Sequence, residues 1–180
     1  MFERFSRDAR AAVVGAQAFG RELRARRITT GHLLYAVAAG EDDAAAALRA
    51  AGATPIRLRD AIERGAADPL DPEALRAIGV DLAAVRDAAE AEFGPGALDA
   101  PDASGPYRLR GPVFADDAKK ALELSLRQTL KARQKRIEAG HVLLGLIQDE
   151  RFASVRLLTE AGVDVAALRA DVTTRLRAAA

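Results

Sequence analysis

The sequence predicts an all-α protein: a duplicated four-helix repeat with approximate two-fold symmetry, plus an inserted helical hairpin. Three observations carry that reading. Hydrophobic residues make up 49% of the 180, yet only 4% are aromatic and many are Ala, which favours close helix packing over a sheet of β-branched residues. Sliding the chain by 109 residues aligns Phe5 with Phe114, Asp8 with Asp117, Ala9 with Ala118, Ala12 with Ala121 and Arg24 with Arg133. The same register aligns Arg27 with Arg136, Ile28 with Ile137, Gly31 with Gly140, His32 with His141 and Leu34 with Leu143. A repeated unit must bury its apolar face, and the other copy is the nearest surface. Third, a Gly placed seven residues before an Arg recurs at 48–62 (Gly52, Arg59), 75–89 (Gly79, Arg86) and 158–172 (Gly162, Arg169).

The elements follow in order. Ser6 is a helix cap, and Ala9, Ala12, Val13, Ala16, Gly20 and Leu23 mark one face of a helix that runs to about Arg24. Thr29 or Thr30 caps a second helix through Leu33, Leu34 and Val37, ending near Gly40; two more are expected near 43–51 and 55–64. The second copy repeats the plan near 115–133, 138–149, 151–161 and 164–178. Each Gly-to-Arg motif reads as a helix end relieved by Gly, a short turn, then a helix capped by Thr54, Asp81 or Asp164. Residues 71–93 therefore read as an extra helical hairpin. Gly94 to Pro112 reads as an irregular connector in which proteolysis is expected first. The divisions are a first repeat over 1–66, an insert over 67–112 and a second repeat over 113–180, the two repeats forming one domain.

Composition excludes several functions. There is no Cys, which removes disulfides and thiol chemistry and fits a reducing compartment. The start, MFERFSRDAR, is charged at once and no run approaches 18 apolar residues, so a cytoplasmic chain without a membrane segment is expected. Net charge is +1, which argues against a dedicated nucleic-acid binder. The basic runs at 21–27 and 131–136 complement the C-terminal ends of the two long helices. His32 and His141 lack the nucleophile or extra ligands that catalysis or a metal needs, and read as structural groups at helix starts. No phosphate-loop motif occurs, since Gly94-Pro95-Gly96 has no following Lys. No enzyme activity, cofactor or metal is expected.

The blocks MFERFSRDARAAVVGAQ with ITTGHLLYAV, and PVFADDAKKALELSLRQTL with IEAGHVLLGLI, resemble the Clp N-terminal repeat domain. That is the substrate-receiving head of ClpA/ClpC-type AAA+ unfoldases. The likeness covers both repeats, with 67–112 a longer insert than is usual. It implies an eight-helix domain that binds proteins or peptides, here as a free-standing head without the motor. In members that read phosphoarginine, a Glu precedes each repeat's His, where Gly31 and Gly140 stand here. The hydroxyl after the repeat's Phe is Ser6 in one copy and Ala115 in the other. Phosphoarginine binding is therefore expected to be weak, and Gly31→Glu with Gly140→Glu to create it. A second surface of the family, where substrates, adaptors and cyclic-peptide antibiotics dock, maps onto Phe2, Arg10, Val13, Val14, Gln17, Phe114, Lys119, Leu122 and Glu123. The expected function is a non-enzymatic recognition module: an adaptor, regulator or decoy for a Clp unfoldase or its clients. The alternative is a DNA-associated regulator using the basic helix ends.

Overall fold

Ser6 is extended, and its hydroxyl accepts the Ala9 amide proton at 3.3 Å, so the first long helix, α1 (Arg7–Glu22), begins behind the expected cap. In this computed structural model, which describes residues 2–66, 79, 81–94 and 112–179, its counterpart α6 (Asp116–Lys131) begins behind Ala115. That residue has the same extended geometry but no side chain to donate to. Both helices end on an Arg rather than a Gly. Arg24 (φ 52°) and Arg133 (φ 56°) adopt the left-handed region, which disfavours a side chain with a Cβ. Each is held there by a bond across the turn, Ala25 N–H to Gly20 O at 2.8 Å and Gln134 N–H to Thr129 O at 3.0 Å.

The all-helical reading did not anticipate two short parallel pairings. Strand β1 (Arg27–Ile28) pairs with β2 (Val113–Phe114), and Phe5 bridges Ile137. Ala115 N–H donates to Ile28 O at 2.8 Å, and Ser6 N–H donates to Ile137 O at 3.0 Å. A capping residue must be extended. Here each extended approach to a long helix finds its backbone partner on the segment that precedes α2 (Thr30–Ala38) or α7 (Ala139–Leu146).

Those two helices form the centre. Every residue of α7 is buried, and α2 buries Thr30, Gly31, His32, Leu33, Leu34, Ala36, Val37 and Ala38, as expected for helices that are apolar all round. α1 packs on α2, and α6 packs on α7; α2 also meets α7. Close approach demands small residues. A Cβ on Gly145 would lie 2.4 Å from Ala121 O and 2.6 Å from Ser125 Oγ, so no larger residue fits between α6 and α7. The outer layer is α3 (Asp43–Ala50), α4 (Pro55–Ala66), α8 (Ala153–Glu160) and α9 (Val165–Ala178). The expected Gly-to-cap turns are present: Gly52 and Gly162 have φ of 85° and 76°, and Asp164 Oδ1 accepts from the Ala166 and Ala167 amides.

Contacts divide the chain into a larger unit, Met1–Glu63 with Pro112–Ala180, and a smaller one, Arg64–Gly111. In the smaller unit α5 (Leu82–Phe93) is capped by Asp81 and ends at Gly94, with Val85 and Phe93 exposed. The first helix expected in the hairpin and most of the connector expected at 94–112 lie outside the described residues. Among the described residues no helix is long and apolar enough to cross a membrane.

Candidate functional site

The nine positions assigned to the docking face fall into three physical groups. Val13 and Leu122 are core, 4% and 7% exposed, and present almost no surface to a partner. Val14 is the opposite case. It lies on α1, one step off the buried stripe of Ala9, Ala12, Val13 and Ala16, and is 59% exposed. Phe114 is half-buried, packed against the core from β2. The Phe2 side chain lies outside the described residues.

The polar members are arranged around these. Arg10 Nε donates to Phe5 O at 3.0 Å, which fixes its guanidinium stem beside the Phe5–Ile137 bridge. The Gln17 carbonyl accepts from Arg21 Nε at 3.2 Å, leaving its amide side chain half-buried. On α6, Lys119 pairs with Asp116 at 3.0 Å, and Glu123 pairs with Lys120 at 3.1 Å and Arg127 at 2.5 Å. The hydrogen bond from Lys120 holds the Glu123 carboxyl below its ordinary pKa, and that from Lys119 does the same for Asp116. These are solvent-exposed pairs and contribute little to stability. They are surface charges, not buried ones.

At the four phosphoarginine-type positions the structure adds a steric obstacle to the missing charge. Ser6 is buried and committed to capping α1, and Ala115 offers no hydroxyl. A Cβ on Gly31 would lie 2.9 Å from Leu157 Cδ1. One on Gly140 would meet Leu176 Cδ2 at 2.9 Å, Cγ at 3.0 Å and Cδ1 at 3.2 Å. Two Gly→Glu changes would therefore have to displace a terminal methyl of Leu157 on α8 and the branched end of Leu176 on α9.

Both histidines sit at the third position of a helix. The ring Nδ1 of His32 accepts the Thr29 amide at 3.2 Å, and that of His141 accepts the Glu138 amide at 3.1 Å. Each ring closes a capping box from the place where Glu or Gln usually stands. Burial lowers both pKa values, opposed at His32 by Asp117 and at His141 by Glu138. Among the described residues no group of three or more His, Cys, Asp or Glu could hold a metal ion.

One polar cluster escaped the sequence reading. Asp117 Oδ2 accepts from Thr30 N at 3.2 Å and from Thr30 Oγ1 at 2.9 Å, and Thr30 Oγ1 accepts from Ser154 N at 3.2 Å. It ties the starts of α2, α6 and α8 together. The repeated Asp8/Asp117 identity was its one signal in the sequence.

Two buried central helices, each packed by one long amphipathic helix, define the fold. The chain belongs to the Clp repeat (R) N-terminal domain family, whose model matches residues 4–69 and 113–180. Among solved structures it is similar to the N-terminal domain of the caseinolytic protease associated chaperone ClpD from Arabidopsis thaliana. Identity is 19% over 98% of this chain and 99% of that one, with a TM-score of 0.65. It is also similar to a chain from structural investigations of a malarial protein secretion system, at 15% identity over 96% and 94%, with a TM-score of 0.57.

Proposed function

We propose that the protein is a non-enzymatic protein- and peptide-recognition module that serves a Clp-type unfoldase–protease system as adaptor, regulator or decoy, in the cytoplasm. The observation that carries this reading is the family match on both sides of the insert, since heads of this family receive proteins rather than transform them. We further infer an internal duplication, with repeats at 1–66 and 113–180 and an insert at 67–112. The shared 109-residue register of the bridges Ile28–Phe114 and Phe5–Ile137 supports it.

Docking is assigned to the outer faces of α1 and α6, with Val14 and Phe114 as apolar anchors and Arg10, Gln17, Lys119 and Glu123 as rim, the usual division of labour in a peptide-binding surface. Cyclic-peptide antibiotics of the kind the family binds would use the same face. The test is titration of a labelled unfolded protein, of a Clp unfoldase and of such an antibiotic against wild type, Val14→Glu and Phe114→Ala. Loss of about 1–3 kcal/mol of binding for Val14→Glu at an unchanged melting temperature is expected. Unchanged affinity for all three ligands would remove the face.

A further inference from the structure

The chain is unevenly charged. Residues 64–111 hold nine Asp or Glu against five Arg, a charge of −4, so the remainder of a chain at +1 overall carries +5. Opposite charges on two parts of a protein favour their association and steer it. Each part also leaves one helix face apolar and uncovered.

On α5, Val85, Ala89 and Phe93 stand at i, i+4 and i+8 and so share a face. Phe93, 81% exposed, is the most exposed large hydrophobic among the described residues, and Val85 is exposed on the same face. The rest of α5 is acidic: Asp87, Glu90 and Glu92 stand against Arg86, and Asp81 caps the helix. On α1 the outward stripe is Ala11, Val14 and Ala18, at i, i+3 and i+7, all exposed. Such short side chains let a partner helix approach closely. The charge around this stripe is positive. Arg10 and Arg21 donate to the backbone carbonyls of Phe5 and Gln17, and neither has an acidic partner among the described residues. The two acids of α1 are already engaged, Asp8 by Arg7 and Glu22 by Arg59. One helix thus offers an apolar stripe with acids, and another an apolar stripe with unpaired cations.

We propose that α5 of one copy of this chain docks on the α1 face of a second copy, with Phe93 and Val85 covering Val14 and the acids of α5 facing Arg10 and Arg21. The occupant is a second copy because both faces stay exposed within one chain, and a reciprocal pair covers two such contacts at once. A single helix-on-helix contact is small, so the assembly is weak and forms only as concentration rises. The inference rests on the docking role given above to α1. On that reading α5 competes with a peptide ligand for the same face, so the assembly shields Val14 until a ligand disperses it.

The test follows the full chain by sedimentation velocity from micromolar to near-millimolar concentration, alone and with the labelled unfolded protein. Wild type is expected to self-associate as concentration rises, and the labelled protein to reverse it. Phe93→Ser and Val14→Glu should each weaken self-association at least about tenfold, and Glu92→Lys, which reverses a rim charge, about threefold. A mixture of Val14→Glu with Phe93→Ser should associate although neither does so alone, because the first keeps its α5 and the second its α1 face. A monomer at every concentration overturns the proposal. So does self-association that survives Val14→Glu, which would pair α5 with α5, and so does failure of the two variants to complement. The docking role of α1 is read separately, from binding of the labelled protein at low concentration, where Val14→Glu should lose affinity and Phe93→Ser should keep it. Loss by Val14→Glu in a chain that stays monomeric strikes the second copy and leaves the docking face. Self-association through Phe93 and Val14 with ligand binding unchanged by Val14→Glu strikes the competition and leaves the contact between copies. All the substituted residues are exposed, and circular dichroism with melting temperatures confirms that each variant is folded.

Discussion

His32 and His141 serve as neutral acceptors, because each Nδ1 accepts a hydrogen bond from a backbone N–H. Burial lowers both pKa values from 6.5, so the unfolded chain binds protons that the native one resists. Their contribution to stability is complete above about pH 6.5 and is lost as pH falls below that value towards the lowered native one. The melting temperature should therefore drop as pH falls below about 6.5, and His32→Gln with His141→Gln should flatten that drop, because Gln can close the same box. Equal acid sensitivity of wild type and double variant would assign the effect to other groups. The two glycines ahead of these histidines are not equivalent. A Cβ on Gly31 meets one terminal methyl of Leu157, whereas at Gly140 it meets three atoms of Leu176, including the branch carbon. Overpacking costs about 1–3 kcal/mol, against about 1 kcal/mol regained in helix propensity. Gly140→Ala should lower the melting temperature clearly and Gly31→Ala hardly at all.

At the level of elements, α1 and α6 share length and register but differ at the cap. Ser6 bonds the Ala9 amide, while Ala115 has the same extended backbone and nothing to donate to. Ala115→Ser should stabilise by about 1 kcal/mol, and Ser6→Ala should cost about as much, read from denaturant midpoints. Adjacent positions on α1 diverge more sharply. Val13→Ala and Leu122→Ala remove core and should each cost about 2–4 kcal/mol, whereas Val14→Ala should leave the fold unchanged. The helices and the Gly-to-cap turns were legible in the sequence, because local patterning and caps decide them. The short strands were not, because a two-residue pairing between segments about ninety residues apart has no periodicity to read. At the proposed docking face, periodicity separated Val14 from the buried stripe but gave no warning about Val13 and Leu122, which a family pattern marks without saying whether they are buried. The leucines over Gly31 and Gly140 were equally silent, since they arrive from α8 and α9.

For the larger unit as a whole, what matters is that each half completes the other. The segment before α2 pairs with the approach to α6, the segment before α7 pairs with the approach to α1, and Asp117 holds Thr30 across the same boundary. Both central helices are buried on every side, α2 against α7 and α8, α7 against α2 and α9. Each central helix thus draws part of its cover from the other half. Separate chains of residues 1–66 and 113–180 should accordingly show little helix alone by circular dichroism and regain it on mixing, as a one-to-one complex by sedimentation. Asp117→Ala in the second fragment leaves the Thr30 hydroxyl and amide without their charged acceptor, a loss of about 1.5–3 kcal/mol, and should weaken association at least about tenfold. Asp8→Ala in the first fragment should change it little, because among the described residues the Asp8 carboxylate pairs with its exposed neighbour Arg7. If each fragment folds alone and the two ignore one another, the repeats are independent domains and the strand crossings contribute nothing to holding them together.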